Sequence, residues 1–142
     1  MGDAQRNGAE LRRRAQGEKS EKLQALLCSL DGGVGRWADE FVFGEVWARD
    51  GLPFEERMLV AIASLATQGK APMLRNYTFG ALQAGVSARK IHETLVMLVV
   101  YAGFPTATNM LYEWKQVLDS ARAQGIAIND DPGLVAEIHD NS

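Results

Sequence analysis

Residues 71–85 read APMLRNYTFGALQAG, and their spacing predicts one helix. Pro72 suits a first helical position and Gly85 the residue just past the end. Leu74, Tyr77, Thr78, Ala81 and Leu82 recur at i, i+3, i+4, i+7 and i+8, which is one face of that helix. Tyr77 therefore points inward with apolar neighbours. Its hydroxyl then needs a hydrogen-bond partner or a ligand, because a buried polar group without one is costly. Tyr77 is either a satisfied core tyrosine or the working group of a site.

Working outward from this stretch, every periodic segment is again helical. Residues 9–16 and 19–30 predict two helices separated by Gly17, and DGGVG (31–35) reads as a breaker. Residues 36–48 predict a short aromatic helix with Trp37, Phe41 and the Gly44–Glu45 region down one side. RDGLP (49–53) is a turn, from which Pro53 opens a helix to about residue 68. The apolar run MLVAIASLA makes that helix central and buried. Ser87 can cap the next helix, which Gly103 ends, and Pro105 starts a long one ended by Gly125. The expectation is an all-α bundle of about six helices, one domain over residues 1–125. Residues 126–142 are either a loose tail or an arm on a neighbouring subunit. The run LVMLVVYAG carries more apolar surface than a lone small chain needs to cover, which predicts a homo-oligomer.

The chain has 142 residues, 46% of them hydrophobic, and a net charge of −3. It is long enough for a real core. It has neither the basic field nor a motif that nucleic-acid binding requires. The densest positive patch, Arg12–Arg14, reads as a solvated face or a pairing strip. The longest apolar run is about half a membrane span. With no apolar leader after Met1 and one cysteine, the expected location is cytoplasmic. Cys28, in the apolar context LQALLCSL, reads as a small buried side chain. One thiol forms neither an internal disulfide nor a Cys-x-x-Cys pair.

Metal sites need clustered ligands. Two histidines far apart, His92 and His139, do not make such a cluster, so no metal or other cofactor is expected. His92 reads as a surface or interface residue. There is no nucleophile elbow of the G-x-S-x-G kind. What remains are carboxylates, an arginine and polar groups near aromatic rings. Glu45 lies between Phe43 and Trp47, where an acid can act as general acid or base, or is a solvated carboxylate at a helix end. Glu56 either moves a proton or complements the helix dipole. Arg57, at the mouth of a buried helix, either grips a carboxylate substrate with two hydrogen bonds or pairs with Glu45 or Glu56. Arg75 lies on the side of its helix away from Tyr77. Tyr101 and Asn109 flank the tight corner AGFPTATN and are candidates for substrate binding.

Taken together, Trp47-x-Arg49-x-Gly51-Leu52, Arg57, Gly80-Ala81-Leu82, Gly85-Val86, Glu93 and Tyr101-Ala102-Gly103-x-Pro105 form a recognisable series. With AELRRRAQG as an opening helix, residues 9 to 122 resemble the carboxymuconolactone decarboxylase family, which shares the alkylhydroperoxidase D-like fold. The resemblance implies a helical fold, homo-oligomers (trimers or hexamers) and cofactor-free chemistry. One branch decarboxylates a small carboxylated lactone; the other uses a Cys-x-x-Cys pair with a downstream histidine. The decarboxylase pattern places Glu and then His, one helical turn apart, where this chain has Met73 and Tyr77. A phenol titrates near pH 10 and an imidazole near 6.5, so Tyr77 can donate a hydrogen bond but does not copy a histidine's proton traffic.

The resemblance implies a pocket lined by Trp47, Met73 and Tyr77. Tyr77 would bond a carbonyl or enolate oxygen, Arg57 would hold a carboxylate, and Glu45 or Glu56 would move the proton. The expected activity is that of a cofactor-independent lyase or isomerase on a small cyclic or carboxylated substrate. A tailoring cyclase or isomerase on a larger apolar substrate, and a non-catalytic oligomeric binding protein, are the alternatives. Thiol peroxidase activity is disfavoured, because residues 70–77 contain no cysteine.

Overall fold

The computed structural model describes residues 2–133. Seven α-helices follow one another: α1 (Asp3–Gln16), α2 (Ser20–Leu30), α3 (Gly32–Trp37), α4 (Phe54–Thr67), α5 (Ala71–Gln83), α6 (Ala88–Tyr101) and α7 (Phe104–Ala123). A 3-10 turn, Gly17–Lys19, joins α1 to α2, and α3 runs on as a π-helical segment, Ala38–Trp47. No strand forms among the described residues.

The core lies where α4, α5, α6 and α7 meet. Met58, Ile62, Leu74, Leu82, Ile91, Leu95, Trp114 and Leu118 are fully buried there. The predicted inward face of α5 is present in full: Leu74, Tyr77, Thr78, Ala81 and Leu82 are all buried. Ser87 caps α6 by accepting from the Lys90 amide at 3.2 Å. Gly85, Gly103 and Gly125 take positive φ after their helices, the conformation that ends a helix at little cost when no Cβ is present.

On the other side of α5, α1 packs against the π segment and α5 through glycines. A Cβ on Gly8 would stand 1.8 Å from the Asp39 carbonyl oxygen, and one on Gly80 would stand 2.1 Å from that of Ala15. Only a hydrogen at those positions lets the backbones approach so closely.

Several expectations are corrected. DGGVG interrupts the helical run at one residue only, Asp31, between α2 and α3. Asp31 caps α3, its carboxylate accepting from the Gly33 and Val34 amides at 2.7 and 3.2 Å. The glycines are therefore a helix start, as an Asp N-cap favours. In the aromatic segment Trp37 and Phe41 are exposed while Asp39 and Phe43 are buried. Asp39, Phe43 and Trp47, each four apart, share the inner side. Trp37, Phe41 and Glu45, also four apart, do share one side as expected, and that side faces solvent. Helix α4 is not buried all round, since Val60 is exposed opposite Met58 and Ile62. Cys28 is exposed, because α2 lies on the outside and buries only Ser20. The arginine run is not uniformly solvated: Arg12 is buried and ion-paired with Asp39 at 2.6 Å, while Arg13 and Arg14 are exposed.

Beyond α7 the described residues return to the start of α6. Asn129 and Asp130 carbonyls accept from the Ala88 and Arg89 amides at 2.9 and 3.0 Å, which satisfies two free donors at the start of α6. Residues 134–142, including His139, lie outside the described residues. No helix among those described is long and apolar enough to cross a membrane.

Candidate active site

Tyr77 finds its partner on α1. Gln16 Nε2 donates to the Tyr77 hydroxyl at 3.4 Å, and the other end of that buried amide, Oε1, has no partner among the described residues. Because the phenol oxygen accepts from Gln16, its own proton is left to be donated elsewhere. Burial pushes the Tyr77 hydroxyl above the ordinary tyrosine range, and the bond from Gln16 opposes that only in part. Tyr77 is thus a neutral hydrogen-bond donor across the neutral range. Gln16 was not singled out from sequence. Its signal was available, however: Ala9, Arg12, Ala15 and Gln16 recur at helical spacing, and all four are buried.

The Tyr77 ring belongs to an aromatic cluster. Trp47 lies 6.4 Å from it, and Phe43 and Phe54 lie 5.1 and 6.1 Å from Trp47, centroid to centroid. All three pairs are tilted, the arrangement that ring quadrupoles favour. The Arg14 guanidinium covers the Phe54 ring at 3.9 Å, a cation–π contact.

Trp47 also borders an open cleft of about 260 Å³, lined as well by Val46, Leu52, Arg57, Val60 and Ser64. Arg57 stands there as a fixed fork. Its Nε donates to the Leu52 carbonyl at 3.0 Å and its Nη2 to the Arg49 carbonyl at 2.8 Å. Arg57 therefore pairs with neither Glu45 nor Glu56. It ties down the 49–53 turn, and Nη1 remains without a protein partner among the described residues. Backbone carbonyls carry no sequence signal, so this anchoring could not be read in advance.

The remaining candidates disperse. Glu45 is exposed, on the same side as Trp37 and Phe41 and two residues from Phe43 and Trp47, which turn inward. Glu56 is exposed on the first turn of α4, the position that complements the helix dipole. Its neighbour Glu55 makes the specific contact instead, accepting from Lys90 on α6 at 2.8 Å. That bond holds the Glu55 carboxyl below its usual range. Met73, one turn before Tyr77, is 40% exposed, so it does not enclose a buried pocket. Tyr101 is 75% exposed and Asn109 is also exposed. The α6–α7 corner turns both outward, away from the cleft. His92 is partly buried, and its Nδ1 lacks a partner among the described residues.

With this geometry the comparison with known proteins can be placed. The sequence model of the carboxymuconolactone decarboxylase family matches residues 33–116. The chain belongs to the carboxymuconolactone decarboxylase family. That match takes in Trp47, Arg57, Met73 and Tyr77 but begins after Gln16, so the hydroxyl's partner comes from outside the matched region. This family member is 29% identical over 134 residues to 4-carboxymuconolactone decarboxylase of Acinetobacter baylyi, covering 92% of this chain and all of that one. It is 27% identical over 86 residues to nitrosuccinic acid decarboxylase of Metarhizium robertsii, 61% of this chain and 60% of the relative. An uncharacterized 15.0 kDa protein of Paracoccus denitrificans is 34% identical over 74 residues, 51% and 55% of the two chains. Both relatives whose names state an activity are decarboxylases.

The raised Tyr77 hydroxyl has a measurable consequence. Its folded-state pKa lies above its unfolded value of about 10. Its contribution to stability is therefore complete below that value and lost as pH rises through the folded one. Phenolate absorbance in an alkaline titration is expected to contain a late component, coincident with unfolding, that Tyr77→Phe removes. A Tyr77→Phe curve that loses an early component instead would refute the burial argument.

Proposed function

We propose that this protein is a cofactor-independent lyase that decarboxylates a small carboxylated organic substrate. The observation that carries the reading is the pairing of two groups through Trp47. One is a fixed guanidinium with a free Nη1 in the apolar cleft, and the other is the neutral Tyr77 donor, whose ring lies 6.4 Å from the same indole. The activities named for the two decarboxylase relatives agree with it.

In this reading Arg57 binds the substrate carboxylate through Nη1. The bond to the carboxylate carbon breaks and CO2 leaves. The electron pair passes to an adjacent carbonyl, whose oxygen becomes an enolate. The Tyr77 hydroxyl donates to that oxygen, and a proton from solvent at the open cleft completes the new C–H bond. Glu45 and Glu56, both solvent-exposed, take no part. The two site residues then act on different states. The ion pair to Arg57 is strongest in the bound acid and fades as CO2 departs, whereas the bond from Tyr77 strengthens as charge reaches the oxygen. Only the second lowers the barrier.

The test is CO2 release from a panel of small carboxylated lactones and oxo acids. Tyr77→Phe is expected to lower kcat by about 10²–10³, the loss of one oxyanion donor. Arg57→Gln is expected to raise KM by about 10–100-fold with a smaller change in kcat. Turnover unchanged in Tyr77→Phe would sink the assignment of that residue. Binding without turnover across the panel would favour a non-catalytic binding protein.

Association of copies is part of the same proposal. Met97, Val100, Tyr101 and Phe104 form an exposed apolar patch at the α6–α7 corner, and patches of that kind mark contacts. The mass in solution, by light scattering, reads it directly.

A further inference from the structure

The face of α5 opposite Tyr77 borders a different space. Arg75 and Phe79, two residues to either side of Tyr77, project about 160° around the helix from it. There a hollow of about 400 Å³ lies between the Gly17–Lys19 turn, α5 and α7, with Lys19, Arg75, Asn76, Phe79 and Gln116 on its walls. A second hollow, about 380 Å³, adjoins it along α2 and is lined by Lys22, Leu23 and Leu26. Lys19 and Asn76 are common to both, so the two form one groove. Each is in the size range of ligand pockets. Neither shares a residue with the Trp47–Arg57 cleft.

The chemistry of the groove changes along its length. The α5–α7 end offers the amides of Asn76 and Gln116 over a nearly buried Phe79 floor. The α2 end offers Leu23 and the more than half-exposed Leu26. Lys19 stands at the junction, its ammonium 5.3 Å from the Phe79 ring centroid. The charges nearby are Lys19, Lys22 and Arg75 against Glu18 and Glu113. Arg75 is committed to Glu113 at 2.7 Å. Lys19 and Lys22 make no ion pair among the described residues. Glu18 lines the α5–α7 end and is not among the residues lining the α2 end. Two free cations thus sit where a hydrogen-bonding surface meets an apolar one.

We propose that this groove is a second binding site, for an amphipathic organic anion. Its carboxylate lies between Lys19 and Lys22. A polar group next to the carboxylate meets Asn76 and Gln116, and an apolar chain runs over Leu23 and Leu26. Each part of such a ligand has a matching partner, and the charged hydrogen bonds are the strongest of them. The site does not depend on the chemistry assigned to Tyr77 and Arg57.

N-octanoylglycine, which has all three parts, is a suitable probe. Titrated into isotope-labelled full-length protein, it is expected to give saturable amide shifts at Lys19, Asn76, Phe79 and Gln116, and none at Trp47 or Val60. Its methyl ester, and the acid on a Lys19→Glu/Lys22→Glu variant, are each expected to bind at least about tenfold more weakly. Both lysines are exposed and unpaired, so the variant should keep its fold. Arg57→Gln should bind the acid as the unaltered protein does. Shifts centred on Trp47, equal binding of acid and ester, unweakened binding by the double variant, or no saturation by about 10 mM would each overturn the proposal.

Discussion

Arg12→Met is expected to destabilise the protein by about 3–5 kcal/mol, more than any other single change considered. The side chain is 2% exposed and its partner Asp39 is 9% exposed. Nε and Nη2 reach the two Asp39 carboxylate oxygens at 2.6 and 3.4 Å. Nη1 reaches the Ser20 hydroxyl and carbonyl at 2.6 and 3.1 Å. One guanidinium thus joins α1, the π segment and the first residue of α2. Methionine fills much of the volume but leaves the Asp39 carboxylate buried without a counter-charge, and that orphan is the main cost. For a chain of this length the melting temperature should fall by about 10–15 °C. Arg12→Met combined with Asp39→Leu removes both charges together and should recover most of the loss, since well-packed apolar pairs often match buried ion pairs. If the double variant is as unstable as the sum of the single ones, the charge argument fails and the loss is one of packing.

Gly80→Ala is expected to cost about 3 kcal/mol, at the upper end of overpacking. The added methyl would stand 2.1 Å from the Ala15 carbonyl oxygen and 2.9 Å from the carbonyl carbons of Ala15 and Gln16. Ordinary carbon contacts are near 3.5–4.0 Å. The obstructing atoms are backbone, so no side chain can swing aside, and the end of α1 must move out by roughly 1 Å. That movement takes Gln16 away from Tyr77. The variant should therefore melt lower and also show an altered Tyr77 titration. Gly51→Ala is the control: nothing lies within 4 Å of a Cβ there, and the change should stay within about 0.5 kcal/mol. A Gly80→Ala protein as stable as that control would show that α1 does not press on α5.

The two sides of α5 show how far sequence reasoning reaches. The inward face from Leu74 to Leu82 was legible because helical periodicity is local and five residues agreed. The helix ends at Gly85, Gly103 and Gly125 were legible because a left-handed terminal residue strongly favours glycine. The acid pair of the expected site was not, because spacing groups Trp37, Phe41 and Glu45 on one side of their segment without saying whether that side meets the core or solvent. Arg12 resembled its two neighbours in composition. Its spacing with Ala9, Ala15 and Gln16 sets it apart from Arg13 and Arg14, but only the crossing of α1 over the π segment supplies the Asp39 carboxylate that it pairs with.

By itself, the sequence determined the helical class, most helix boundaries, the inward direction of Tyr77 and the family resemblance. All of these follow from near-neighbour spacing and from residues with special backbone preferences. Only the tertiary structure decided what Tyr77 meets, what Arg12 pairs with, what anchors Arg57, and that Tyr101 and Asn109 face solvent. The first two of those outcomes depend on how close α1 comes to α5 and to the π segment. Here that distance is set by the missing side chains of Gly8 and Gly80 on segments far apart in the chain, where no local pattern records it.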